Sequence, residues 1–315
     1  MMNSLQFRHS LILMLTAMIW GLAFVAQSMG MDYVGPATFL FARSVIGAAA
    51  LVPVVWIMGR KERKRLDASD LSPEEKEAQL YKKSLHNPMV LKGGLVCGSF
   101  LFIASILQQV GIITTTAGKA GFITALYIIL VPIIGIFLGK KTGLQVWIAI
   151  GLGIMGLYFL CIREDFSVGR GDFLVVLCAV MFSGQILSID HFVSYVDGVM
   201  LAFLQFVVES ILAGIFMLAT ETPTLAGLLA GAGPILYTGV FSSGVGYTLQ
   251  IIGQREVKPA LASLIMSMES VFSVLFGWII LHERMSHREL VGCLLMFTAI
   301  ILAQIPLFGN KKSLE

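Results

Sequence analysis

Ten apolar runs, each close to twenty residues long and set apart by clusters of charge, proline or glycine, limit most narrowly what this chain can fold into. They lie at approximately 10–30, 36–58, 90–113, 119–139, 143–162, 171–190, 199–219, 232–253, 258–281 and 287–306. A bilayer core of about 30 Å is crossed by about 20 residues of α-helix at roughly 1.5 Å per residue. Lipid offers no partner for free backbone N–H and C=O groups, and the runs lack the polar alternation of a barrel strand, so they are expected to be helices. Composition points the same way. Of 315 residues, 57% are hydrophobic and 13% charged, against about 45–50% and about 25% in soluble domains. With a mean hydropathy of +0.86, a globule of this size would expose aggregating patches unless lipid were its solvent. The expected fold is therefore an all-α integral membrane protein with ten transmembrane helices.

Charge and cysteine usage exclude several classes. A net charge of +3 leaves no nucleic-acid footprint. Cys97, Cys161, Cys178 and Cys293 fall in apolar runs without C-x-x-C or Cys/His spacing, and His191, His282 and His287 have no mutual ligand spacing, so no disulfide, metal or other cofactor is expected. Arg8 followed by the apolar stretch from Leu11 to Val25 has the outline of a secretory signal, but the run continues to about Gly30 and cleavage signals near Ala26 are poor, which favours a retained membrane helix. GLGIMG at 151–156, with Asp172 downstream, matches the dinucleotide-binding fingerprint in form. It sits inside the fifth apolar run with no strand before it, so NAD or NADP binding is not expected. Its glycines, like the pairs Gly94 with Gly98 and Gly135 with Gly139, are expected to let helices approach one another.

Orientation follows from Lys and Arg. If the segment 59–88, with eight basic and six acidic residues, is cytoplasmic, sixteen of the 22 basic residues fall inside and five outside, Arg43 being within the second run. Both termini are then cytoplasmic, as the positive-inside rule prefers. Within that loop Ser72-Pro73-Glu74-Glu75 has the form of a capping box, which predicts a short surface helix before Lys82.

Ten helices divide into five plus five. An offset of 162 aligns Leu15 with Leu177, Ala17 with Ala179, Tyr33-Val34 with Tyr195-Val196 and Phe41 with Phe203. An offset of 143 carries Val131 onto Val274, Ile136 onto Ile279, Leu138 onto Leu281 and Leu152 onto Leu295. An odd number of crossings per half makes the copies enter with opposite orientation, the inverted-repeat layout of secondary transporters around a central cavity. The halves are expected at 10–162, with the cytoplasmic loop 59–89, and at 171–306.

Ionisable groups inside a membrane cost on the order of 3 kcal/mol each and need a reason. Arg43, Glu209 and Glu269 stand mid-run; Arg43, about two turns from Pro36, has the reach to snorkel outward, while the glutamates do not. Gln205 and Glu209 share a helix face, suggesting a polar patch between the second and seventh helices. Arg43 and Glu269, with Glu209 and Gln205 nearby, are expected to line the cavity and bind the charged groups of a zwitterionic or polar metabolite; an internal ion pair that only fixes helix positions is the alternative. Trp20, Gln108, Tyr127, Gln185, Tyr247, Gln250 and Ser267 are further candidates for the path, with Gln109, Ser263 and Ser270 beside them. Lys119 reads as an interfacial anchor.

These stretches resemble the ten-helix EamA-type carriers of the drug/metabolite transporter superfamily: IWG at 19–21, FARS at 41–44, TTTAGKAGFITALYIILVPIIG at 114–135 and MESVFSVLFGWIILHERMS at 268–286. The resemblance implies an inner-membrane carrier of two inverted five-helix halves, moving a small organic solute by alternating access. That family usually has Glu-Pro-Val-Phe in its ninth helix; here Ser270 replaces the proline, and a straighter helix is expected. Both charge signs among the candidates suit an amino acid or related compound, with export the preferred direction and uptake of a sugar or other metabolite the alternative. A non-transporting receptor or assembly subunit is the reading from another class. A membrane enzyme is disfavoured, since no nucleophile–base pair is apparent. The partners expected are the bilayer and a small-molecule substrate; a homodimer has no support in the sequence.

Overall fold

The structure, a computed structural model, describes residues 4–81, 84–85, 87–115, 117–161, 169–280 and 286–304. Every regular element among the described residues is helical. Eight helical rods are long and apolar enough to cross a membrane, and two shorter apolar ones, Leu144–Phe159 and Leu290–Ala303, accompany them. In chain order the elements are α1 (Ser4–Gly30), α2 (Pro36–Asp67), α3 (Pro73–Tyr81), α4 (Pro88–Gly111), α5 (Ala117–Thr124), α6 (Tyr127–Phe137), α7 (Leu144–Cys161), α8 (Arg170–Phe192) and α9 (Gly198–Thr220). They continue with α10 (Leu225–Ala230), α11 (Ala232–Leu236), a π-helix (Tyr237–Gly246), α12 (Tyr247–Gln254), α13 (Pro259–Met266), α14 (Glu269–Ile280) and α15 (His287–Gln304).

Helix ends carry the chemistry that ends require. Proline opens α2, α4 and α13, where its missing N–H costs nothing. Asn87 caps the Met89 amide at 2.9 Å and Asp197 caps Val199 and Met200. The capping box before α3 is reciprocal, Ser72 N–H donating to Glu75 Oε2 at 2.8 Å and Glu75 N–H to Ser72 Oγ at 3.2 Å. Helix α2 overruns its expected end at 58: it continues to Asp67 through the run Arg60–Arg65, good helix formers with no proline among them. At about 1.5 Å per residue its 32 residues reach some 48 Å, well beyond the hydrocarbon.

The rods pack as a bundle whose outward faces are apolar. Leu11, Ile133, Ile211, Leu218 and Ile301 are exposed, as lipid contact demands. Helix α2 lies along α9, α4 packs on α8 and α9, α7 pairs with α15, and α1 runs against α14, α12 and the π-helix. Small residues permit the close crossings. A Cβ on Gly98 would meet Val208 Cβ at 2.6 Å, and one on Gly156 would meet the Gly292 carbonyl at 2.9 Å. Gly135 and Gly139 depart from the expected packing role, neither facing another helix. Gly139 takes φ +74° and ends α6, with Lys140 N–H closing onto the Gly135 carbonyl at 2.8 Å in a Schellman turn. Cys97, Cys178 and Cys293 are buried, and none of the three is in a disulfide.

Two rods are broken in mid-course. One is interrupted at Ala125-Leu126, between α5 and α6, the other at Ser267-Met268, between α13 and α14. The second corrects the expectation of a straighter helix at Ser270. No proline is needed, because Ser267 Oγ donates back to the Leu264 carbonyl at 2.7 Å and i→i+3 bonds such as Met268 N–H to Ile265 O tighten the turn. Ser270 Oγ instead donates to the Gly121 carbonyl of the other broken rod at 3.0 Å.

Candidate functional site

The breaks aim side chains inward. Tyr127 opens α6 and Glu269 opens α14, and the phenol donates to Glu269 Oε1 at 2.9 Å. Both groups are buried. They face a central cavity between α1, α2, α4, α8, the π-helix and α12. Gly21 lets α1 approach the second break: a Cβ there would lie 2.5 Å from Phe272 Cβ and 2.9 Å from the Glu269 carbonyl.

Eight sequence candidates line this cavity: Trp20, Arg43, Gln108, Tyr127, Gln185, Tyr247, Gln250 and Glu269. Trp20 packs on Tyr247 with ring centroids 4.7 Å apart and donates its indole N–H to the Ser242 carbonyl at 3.4 Å. Gln185 and Gln250 exchange amide hydrogen bonds at 3.2 and 3.4 Å. Gln108 donates to Thr124 Oγ1 at 3.1 Å. Arg43 does not snorkel. It is 3% exposed and donates from Nη1 to Gln27 Oε1 at 2.9 Å on the inward polar wall. Among the described residues neither Arg43 nor Glu269 closes an ion pair. The internal ion-pair alternative therefore finds no counterpart between these two.

Three candidates sit elsewhere. Ser267 is consumed by the helix break. Gln205 lies behind the wall, accepting from Gln185 Nε2 at 3.3 Å. Glu209 is fully buried between α9 and α2, with Ser44 rather than Arg43 as its partner, at 2.9 Å. The polar patch foreseen between these helices exists, but one residue further along α2. Of the lesser candidates, Gln109 bonds the Gln27 carbonyl and the Met31 sulfur, and Ser263 bonds its own helix. The side chains of Lys119 and Cys161, and all of His282, lie outside the described residues.

Sequence reasoning missed Gln27, Phe24, Phe182, Thr124 and Ser242 as lining residues. Gln27 and Phe24 follow Trp20 at helical spacing, a signal that could have found them. Ser242 contributes its main-chain carbonyl, which accepts from the Trp20 indole and from the Tyr247 N–H at the end of the π-helix, and no residue pattern marks it. The cavity volume is about 30 Å³, far below the roughly 300–1,000 Å³ of metabolite sites. The bundle thus narrows around a polar, aromatic-walled centre that holds Arg43 and Glu269.

An apolar multi-helix bundle with broken rods meeting at a buried polar cavity defines a membrane transporter. The comparisons make the assignment. The EamA-like transporter family model matches residues 8–162 and 169–304, and the chain belongs to that family. It is similar to an uncharacterised transporter of Archaeoglobus fulgidus, 28% identical over 297 residues that cover 93% of this chain and 84% of the relative. The uncharacterised transporter YoaV of Bacillus subtilis is 22% identical over 307 residues, covering 94% and 96%. A solved crystal structure shares the fold, with a TM-score of 0.72 at 17% identity over 94% of this chain and 96% of that one.

Proposed function

We propose that the protein is a secondary carrier of ten membrane spans, arranged as two inverted five-helix repeats at 10–162 and 171–306, that moves an amino acid or related zwitterion across the plasma membrane by alternating access. Arg43 takes the substrate carboxylate and Glu269 its ammonium group. Export is the physiological direction, and both termini are cytoplasmic. The observation that carries this reading is that Arg43 and Glu269, groups able to bear opposite charges, line one narrow cavity without pairing with each other. A solute bearing both signs would complete them.

The repeat architecture has independent support. Numbering the rods one to ten, the packing of four on six answers nine on one, three on six answers eight on one, and three on seven answers eight on two. Two-with-seven and five-with-ten map onto themselves. Rods four and nine, equivalent in that scheme, are the two broken ones. The family model also matches once in each half. Uptake of a sugar or other neutral metabolite would leave Arg43 and Glu269 unmatched.

A panel of amino acids and neutral sugars tested for thermal stabilisation of the purified protein decides between these classes. A ligand at about 100 times its Kd adds about 2.7 kcal/mol. Stabilisation by zwitterions, lost in Glu269→Gln, is expected; stabilisation by sugars alone would overturn the assignment.

A further inference from the structure

The far end of α2 has no part in the cavity. Five of the six residues at 60–65 are basic, and the chain stays helical through them to Asp67. Helix α9, which lies along α2, stops at Thr220 with no basic residue in its last turn. Packing of the pair therefore does not demand the charged overhang.

The two sides of α2 differ. Leu40, Arg43, Ser44, Gly47 and Leu51 make up the buried side. Val45, Val52 and Trp56 are exposed at 40%, 52% and 56%, and steps of seven and four residues keep them on the opposite one. Steps of four and three carry that stripe on to Arg60, Arg63 and Lys64, all of them exposed. The side that meets acyl chains thus becomes basic without turning away from the lipid. With Pro36 at one face of the bilayer, where Glu221 caps the helix, Trp56 stands about 30 Å along α2, the thickness of the hydrocarbon. The three basic residues follow about 6–12 Å further on, and their long stems let them reach back to headgroup depth.

Arg60 Cζ lies 3.8 Å from the centroid of the Trp56 ring. Stacking orders the guanidinium plane and leaves its N–H edge open to phosphate oxygens. The side chains of Arg60, Arg63 and Lys64 take no hydrogen-bond or ion-pair partner among the described residues, whereas Arg65 is engaged by Glu62 at 2.6 Å and Gln79 at 3.4 Å. A cavity of about 500 Å³ opens beside this segment, between α2, α3 and the start of α9, but Glu62, Glu77 and Asp197 line it together with Arg63 and would repel a phosphate.

We propose that the lipid-facing side of α2 is a docking site for an anionic phospholipid, Arg60, Arg63 and Lys64 holding the headgroup phosphate while the acyl chains lie along Val52 and Trp56. Each basic side chain near an anionic surface adds about five-fold to such binding.

The test uses the full chain in phosphatidylcholine vesicles carrying a trace of chain-spin-labelled phosphatidylglycerol or phosphatidylcholine, with protein-immobilised label read by electron spin resonance. The wild type should immobilise the phosphatidylglycerol label several-fold more than the phosphatidylcholine label. That excess should shrink toward parity in the triple variant Arg60→Gln, Arg63→Gln, Lys64→Gln and persist in Lys92→Gln, which removes an exposed basic residue elsewhere. Equal immobilisation of both labels by the wild type, or an undiminished excess in the triple variant, would overturn the proposal. Inorganic phosphate should displace no more labelled lipid than sodium chloride of equal ionic strength; selective displacement would make this a free-anion site and overturn the lipid assignment. Should the triple variant not fold, brominated phosphatidylglycerol should quench wild-type tryptophan fluorescence more than brominated phosphatidylcholine does, and Trp56→Phe should lose the difference. A difference that survives in Trp56→Phe would refute the site. Lipid contact is read here without any flux, so the outcome is independent of the carrier reading.

Discussion

At the scale of single residues, the centre depends on hydrogen bonds that position its ionisable groups without pairing them with each other. Tyr127 fixes the Glu269 carboxylate from the opposite broken rod. Removing a hydrogen bond to a charged group costs about 1.5–3 kcal/mol. Tyr127→Phe is therefore expected to weaken substrate binding by roughly ten-fold or more while the helical content stays unchanged, read by ligand titration and circular dichroism. Arg43→Lys keeps the charge but loses the planar fork that reaches Gln27, and should weaken binding of a carboxylate-bearing ligand as well. The charged members of this centre were legible because lipid makes any ion conspicuous. Trp20, Gln185 and Gln250 could be named for the same reason, as polar groups in apolar runs. Glu209 could not be separated from the cavity beforehand, because a helix face gives direction but not which neighbour fills it. Ser242 was invisible, since its contribution is a main-chain carbonyl.

Among the elements, the crossings and caps are where substitutions tell most. Gly21 lies against Phe272 and the Glu269 carbonyl at distances that admit no side chain. Gly21→Val should destabilise the fold by about 1–3 kcal/mol through overpacking and displace α14, lowering the unfolding temperature in detergent. Helix α2 begins at a glycine without a side-chain cap, and the cap comes from another rod. Glu221, just after α9, accepts from the Ala37 and Thr38 amides at 2.8 and 2.9 Å and from Thr38 Oγ1 at 2.6 Å. Glu221→Ala should cost about 0.5–2 kcal/mol, measured in the same melt. Most rods were readable from length and apolarity, with prolines marking the starts of α2, α4 and α13. The breaks were not. The second arises where the Ser267 hydroxyl competes with the helix ladder, and Ser270 ties it across the bundle to the first by reaching Gly121. The π-helix likewise has no sequence marker beyond its glycines.

The whole molecule is fastened across the two proposed halves at both ends. Glu221 joins α9 to α2 at one end, and at the other Lys140, beyond α6, pairs with Asp190 on α8. The cavity narrows between these fastenings, and the alternating access proposed above would require them to release in turn. Asp190→Asn should open the Lys140–Asp190 end more often, which faster labelling of a cysteine placed at Gln185 by a membrane-impermeant maleimide, applied from that side, would register. Equal labelling in both proteins would remove Lys140–Asp190 from gating. The apolar exterior and the family membership follow from features spread along the whole chain, which is why the molecular class was readable from the start.

The central claim is that solute crosses the membrane through the cavity between Arg43 and Glu269. Its most direct measurement is flux of radiolabelled amino acids across proteoliposomes containing the wild type or Glu269→Gln, reconstituted to equal amounts of folded protein. The account predicts saturable, selective flux in the wild type and its loss in the variant. Equal flux from both, or none from the wild type with any zwitterion, would contradict it.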